Sequence, residues 1–357
     1  MGLTNFQLIQ RAISTGDFSG TGNAGLLNPY QARQFIQQTF EATNLSPLVR
    51  HEMHVERIGE IDKIGIASRI VRGKSEGVDD GYRAGVKTGS VPFATTPVRL
   101  PWEITEETLR QNIEGESLEA KITNLMTSQL AVDLEDLYLN GDDGAATAGE
   151  FSASTAYAAG DIVIYGTGLY MFVTAHAAGA WSTSDVVKIG DAGDADFLKL
   201  NDGWIKQIMD NGHVLNANVA KYNSGAMSLD VFYDAVAHIP NKYNNGRLRW
   251  LMSPRRAQQW ELFLMNKVVT NGGAVPDSVY KSPVSIPAVQ CPSMSDDKII
   301  LVDPQNLIVV NSYTVKIRKT TEGKEAIMQD KRFYVVHLDY DPIIEETDAV
   351  GIITGLA

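Results

Sequence analysis

Three groups of residues in this 357-residue chain have types and spacings that could do chemistry. Gly20-Thr-Gly-Asn-Ala-Gly25 carries the G-x-G-x-x-G spacing with which a strand–turn–helix cradles a dinucleotide pyrophosphate. That use needs a strand before the motif and a helix opening on its last glycines. STGDFS precedes it and LLNP follows, so it reads as part of a flexible arm. His51 and His54 would bring two imidazoles together on a helix, but no third ligand stands at a recognisable spacing, and they read as surface histidines. Asp142, Asp143, Asp191, Asp194 and Asp196 gather at the seams of residues 151–190 and offer the oxygen donors that Ca²⁺ takes. They lack the regular loop spacing of an EF-hand. No G-x-S-x-G, P-loop or H-E-x-x-H occurs, and Cys291 has no nearby histidine. No catalytic, cofactor or metal residue is assigned on these grounds, and the chain reads as a non-enzyme.

The bulk composition narrows the class. Forty-three acidic against 31 basic residues give a net charge of −12, which disfavours a dedicated nucleic-acid or membrane surface and favours solubility at high concentration. A single cysteine excludes an intrachain disulfide and fits a reducing cytoplasm. No stretch approaches eighteen consecutive apolar residues, and Met1 to Gly16 has neither a basic start nor an apolar run, so neither a membrane span nor a signal peptide is predicted. The length predicts two or three domains.

The elements fall into blocks. Residues 1–28 are polar, and Pro29 opens a short helix with Phe35, Ile36 and Phe40 on its inner side. VERIGEIDKIGIASRIV and ATTPVRLPW read as the arms of a hairpin whose middle, RGKSEGVDDGYRAGVKTGSVP, has scarcely a core residue. An isolated ribbon of this kind is marginal in water and is expected to lie on another subunit. Leu118, Ile122, Leu125, Met126, Leu130, Leu134 and Leu137 then form one apolar stripe, predicting a helix of about twenty-three residues, ~35 Å long. Ser117 is expected to cap it and Gly141 to stop it in a left-handed conformation. Residues 151–190 are nearly free of charge and alternate short strands (DIVIY, LYMFVT, VVKI) with Gly turns, the pattern of a β module inserted at a surface loop. Its Tyr157, Tyr165, Tyr170 and Trp181 could be its core or a face for stacking on sugar rings. Beyond it, FLKLNDGWIKQIMDNG, SLDVFYDAVAHIPNKY and PRRAQQWELFLMNK read as helices, RLRWLMSP, IILVD and LIVVN as strands, and the C-terminal segment as mostly strand.

Taken in this order, the parts resemble a tailed-phage major capsid protein of the HK97-like fold. LPWEITEETLRQ…LEAKITNLMTSQLAVDLEDLYLNGD resembles the entry to the spine helix and the helix itself. SLDVFYDAVAHIPNKYNNGRLRWLMSPRRAQQWELFLMN resembles the A-domain sequence, and RFYVVHLDYDPIIEETDAVGIITGL the return to the P-domain. The insertion resembles a small chitinase-type carbohydrate-binding module. The resemblance implies an α+β HK97-like capsid fold with a small all-β insertion. Its parts are an N-terminal arm and short helix (1–55), an E-loop hairpin (56–100), a P-domain spine helix (101–147), the inserted β domain (148–195), an A-domain (196–312) and P-domain C-terminal strands (313–357). It implies hexamers and pentamers in an icosahedral head shell, assembled in the host cytoplasm around non-specifically held double-stranded DNA, with portal and decoration proteins as partners and no membrane. Only about thirty residues precede the first helix, so any scaffolding protein is expected to be separate. Arg69, Arg72, Lys74, Arg83 and Lys87 are the expected intersubunit contacts, facing acidic residues such as Glu106, Glu107 and Glu114. Tyr157, Tyr165, Tyr170 and Trp181 are the expected glycan or partner contacts, and deleting residues 151–190 is expected to leave assembly intact if the module faces outward. The alternatives are an encapsulin-type nanocompartment shell or a carbohydrate-active enzyme carrying a binding module.

Overall fold

The computed structural model describes residues 44–65, 70, 71, 73, 77, 81, 83, 85–111, 116–270, 282–312, 316–322 and 324–356. The N-terminal arm, the helix expected from Pro29, the glycine motif, Arg69, Arg72, Lys74 and Glu114 lie outside them.

The strands are β1 (Arg50–Met53), β2 (Ile58–Gly65), β3 (Lys87–Ala94), β4 (Thr96–Thr105), β5 (Gly149–Glu150), β6 (Ile162–Tyr165), β7 (Gly168–Phe172), β8 (Val186–Asp191), β9 (His213–Asn216), β10 (Arg249–Met252), β11 (Ala288–Gln290), β12 (Ile299–Val302), β13 (Leu307–Asn311), β14 (Lys316–Thr320), β15 (Lys331–Ile344) and β16 (Gly351–Thr354). The helices are α1 (Glu106–Gln111), α2 (Glu116–Asn140), α3 (Ala195–Leu198), α4 (Trp204–Asn211), α5 (Leu229–His238), α6 (Pro254–Thr270) and α7 (Lys324–Gln329). They fall into two compact units. Among the described residues the first holds 98–132 and 315–338, and the second holds the remainder.

In the first unit, β14 pairs antiparallel with the first half of β15, from Lys316↔His337 to Thr320↔Phe333. Trp102 of β4 stacks on Tyr334 of β15 at 5.2 Å. Above them the carboxylates of Glu106 and Glu119 grip the Arg332 guanidinium, and Lys319 Nζ stands 2.5 Å from Glu119. Charge-assisted forks of this kind are among the stronger polar contacts. Burial raises the Glu119 carboxyl, but the bonds from Lys319, Tyr334 and Arg332 outweigh it and hold it below the usual range.

The second unit contains the larger core. Its main sheet runs β11-β10-β12-β16-β9. Phe232 of α5 meets Trp250 of β10 and Trp260 of α6 edge-on, each at 5.0 Å, so the two helices close one face of the sheet with aromatic edges. The last strand, expected with the P-domain, lies instead between β12 and β9. In the opposite sense β13, expected with the A-domain, pairs with β1 and β15. Both changes rest on pairings between residues far apart in sequence, which local periodicity does not encode.

The long helix is 25 residues and begins at Glu116, one residue before the expected cap Ser117. Leu118 and Leu137 of its stripe are buried, while Ile122, Leu125, Met126, Leu130 and Leu134 are half-buried. Gly141 is not left-handed. Its glycine is required by close approach: a Cβ there would stand 2.4 Å from the Asn201 carbonyl oxygen, and one on Gly203 would stand 2.8 Å from the Gly141 nitrogen. The Gly203 N–H donates to the Gly141 carbonyl at 2.8 Å. This crossing also explains why the helix expected over 197–212 is broken into α3 and α4, with Asn201-Asp202-Gly203 as the link.

The insertion forms the sheet β5-β6-β7-β8, as its alternation predicts. Alternate residues divide between two faces. Ile162, Leu169, Met171 and Ile189 join Leu198 and the half-buried Phe197 and Met209 of the body. Val163, Phe172 and Val186 face the other way, among Phe151, Tyr157, Tyr170 and Trp181. The module therefore shares a core with the body, and removing it uncovers Leu198.

Two outcomes follow. Gly141→Ala should lower unfolding stability by about 2–4 kcal/mol in denaturant titration, because the atoms its Cβ would meet, the Asn201 and Leu137 carbonyl oxygens at 2.4 and 2.7 Å, are backbone and cannot turn aside. Deleting residues 151–190 should shift most of the chain to the insoluble fraction on expression; full soluble yield would refute the shared core.

Candidate assembly interface

The β2–β3 hairpin is supported by its own chain on one face only. Eight antiparallel pairs run from Ile58↔Ala94 to Gly65↔Lys87. Strand alternation sorts its side chains. Gly59, Ile61, Val91 and Phe93 turn inward, where Phe93 packs with Ile308, Val310 and Ile343. The Phe93 ring lies where a Cβ on Gly59 would be, 2.8 Å from its Cζ, so glycine at 59 lets the ring cross the partner strand. Lys63 Nζ donates to the Glu345 carbonyl at 3.0 Å and stands 3.4 Å from the Glu346 carboxylate. On the outer face Ile58 and Ile64 are 75% and 74% exposed, with Glu60 and Asp62 between them. Val55, Val71 and Val86 are also exposed, and a Cβ on Gly73, Gly77 or Gly85 would meet nothing within 4 Å.

Of the predicted basic contacts, Arg83 and Lys87 are described, and both are exposed. Glu106, expected to meet a neighbour's base, is held by Arg332 of its own chain because the β15 start lies beside α1. Further exposed apolar side chains occur on α7 (Ile327, Met328) and on α5 and α6 (Tyr233, Leu262, Met265).

The aromatic residues of the insertion are knit together rather than laid out flat. Tyr165 stacks on Trp181 at 4.0 Å, and Phe151 and Tyr170 meet Trp181 edge-on, each at 5.0 Å. Tyr157 stacks on Phe172 at 4.8 Å and its hydroxyl accepts the Ser152 N–H at 2.8 Å. Tyr165, 44% exposed, presents the most open ring of the four.

The remaining candidates separate. His51 Nε2 bonds the Ser46 carbonyl and His54 Nε2 the Glu52 carboxylate, so the two rings serve different partners. Cys291 is buried, which pushes its thiol up and away from reactivity. Asp191 pairs with Lys188 at 2.6 Å, Asp196 with Lys199, and Asp194 accepts the Asp191 N–H. Asp142 and Asp143 stay together and are joined by Asp202, which sequence reasoning missed because its loop is brought in by the Gly141–Gly203 crossing. No helix among the described residues is long and apolar enough to cross a membrane.

No family model matches the chain. Over 142 residues, 39% of this chain, it is 31% identical to "Putative prophage capsid protein YqbE" of Bacillus subtilis (strain 168). The match spans 45% of that protein's length, less than half of it. Among solved structures, a chain of the satellite phage P4 procapsid including size determination (Sid) protein superposes with a TM-score of 0.53 at 14% identity, covering 88% of this chain and 95% of that one. The capsid of a native GTA particle gives 0.53 at 11% identity over 97% and 98%, and Gordonia phage Cozz gives 0.51 at 11% over 96% and 98%. At such identities the likeness is one of fold. The chain has the mixed α+β HK97-like fold of these capsid chains.

One pH effect is expected at the hairpin root, where the Ala94 N–H donates to Asp341 Oδ2 at 2.7 Å. Burial pushes the Asp341 carboxyl up to about 6, against the pull of that bond. A raised carboxyl costs nothing while protonated, and its cost grows as pH rises from the ordinary carboxylate range through about 6. Asp341→Asn should therefore stabilise the chain by about 1–2 kcal/mol at pH 7.5 and hardly at all at pH 4. Equal effects at both pH values in denaturant titration would refute it.

Proposed function

We propose that this chain is a major capsid protein that self-assembles into the icosahedral head shell of a phage-type particle around double-stranded DNA. The single observation that carries this reading is the hairpin: in a chain with the fold of capsid subunits, it holds isoleucine and valine side chains exposed, with no covering surface among the described residues. Burying such residues against a neighbour stabilises by about 1.5–3 kcal/mol each. A contact repeated in every subunit of a closed lattice multiplies that gain.

In this reading the subunits form hexamers and pentamers, and Arg69, Arg72, Lys74, Arg83 and Lys87 pair with acids of the adjacent subunit other than Glu106. Exposed pairs are individually weak, about 0–1 kcal/mol, so they set register more than affinity. The role is structural, not catalytic. The net charge of −12 suits a wall that holds DNA without gripping it. Portal, separate scaffolding and decoration proteins are the further partners, and the inserted module stands on the outer surface with Tyr165 and Trp181 as its contact face, for a glycan or a partner protein. A nanocompartment shell with enzyme cargo is the alternative, distinguished by what purified particles contain.

Native sizing of the expressed chain should give particles of megadalton size, and a monomer at all concentrations would retire the proposal. The double variant Ile58→Glu/Ile64→Glu should abolish particles while leaving the thermal midpoint of the free chain unchanged, since both side chains already face water. Particles of normal yield from this variant would show that the hairpin's outer face is not the contact.

A further inference from the structure

We propose that Asp142, Asp143 and Asp202 bind a divalent cation of the calcium class at the seam where the inserted sheet leaves the body. Each of the three offers a carboxylate oxygen, and these atoms all lie within 4.8 Å of one another. That separation lets a single ion reach them all at Ca–O distances of about 2.3–2.6 Å. Asp143 is exposed and Asp202 half-buried, which leaves an entry path and room for water to complete the coordination.

A second observation points to a missing ligand. The Asp142 side chain is only 2% exposed, yet its Oδ2 has no hydrogen-bond partner. A carboxylate in that state is costly unless a charge answers it. The groups around it reach its other oxygen, Oδ1. The Gly144 N–H donates to Asp142 Oδ1 at 3.0 Å. Lys206 Nζ stands 3.8 Å from that same Oδ1 and is shared with Asp210 at 4.0 Å. Lys298 is fully buried and its Nζ makes no hydrogen bond; Asp297, Asp136 and Asp142 all favour its charge against that burial.

The cluster is also held in place before any ion arrives. Asp143 donates its N–H to Asp202 Oδ1 at 3.0 Å, and Asp142 donates its own to the Leu198 carbonyl at 2.9 Å. The Gly203 N–H fixes the Asp202 loop to Gly141. Preorganisation of this kind reduces the ordering cost of binding. An ion here would tie together the end of α2, the entry to the inserted sheet and the loop before α4.

The test uses the full-length chain stripped with EDTA and desalted, and reads the same whether or not the chain assembles. Calorimetric titration with CaCl₂ should show one ion per chain, and saturating CaCl₂ should raise the thermal midpoint by at least ~3 °C. Asp143→Asn and Asp202→Asn should each weaken binding by about tenfold or more. Asp196→Asn, an acid of the same seam paired with Lys199, should bind as the parent does. Asp143 is exposed, so its replacement leaves a folded chain to measure. No heat and no shift in the folded parent, or unchanged affinity in Asp143→Asn and Asp202→Asn, overturns the proposal.

Discussion

One backbone crossing holds the second unit together. From Leu137 to Asn140 the last turn of α2 is buried on every side, and the chain can leave that position only because Gly141 and Gly203 pass without side chains. Tyr138 packs behind the crossing against Trp204 at 5.8 Å and Tyr340 at 5.4 Å. The Trp204 indole donates to the Ile343 carbonyl, and the Tyr340 hydroxyl donates to Asn201. The helix end, the entry to the inserted sheet, the loop before α4 and the end of β15 thus meet at one place. Two glycines make the site geometrically possible, and the aromatic residues around them make it stable.

The hairpin shows the opposite economy. Its inner face is finished within the chain by Phe93 and by Lys63, whose amine reaches a backbone carbonyl and a carboxylate. Its outer face is left open, but Glu60 and Asp62 interrupt the exposed isoleucines, and Pro92 removes a donor from β3. Charges and a proline on an unpaired ribbon discourage indiscriminate strand pairing. A surface of this type stays soluble alone and still has apolar area to give to a matching neighbour.

Much of this was legible in the sequence, for identifiable reasons. The long helix was readable because its stripe repeats at three and four residues, and the inserted strands because apolar residues alternate between Gly turns. Gly141 was readable as a stop, but the cause was not: a helix-ending glycine looks the same whether φ or crowding requires it. The division of 197–212 into two helices, the place of β16 between β12 and β9, and the Arg332 grip on Glu106 depend on partners far away in sequence. Local periodicity carries no record of them. Asp202 belongs with these, since its neighbours Asp142 and Asp143 are brought to it by the fold and not by spacing.

The turn between β6 and β7 has a use of its own. Tyr165 pairs with Gly168, so Gly166 and Thr167 form a two-residue loop, with Gly166 at φ +63° and nothing within 4 Å of where its Cβ would lie. The strands that carry the loop are fixed at their base by Leu169 and Met171, inside a core shared with the body. A foreign peptide grafted at this tip would be held out in solvent on a rigid stem, and on a shell it would be displayed at the copy number of the lattice.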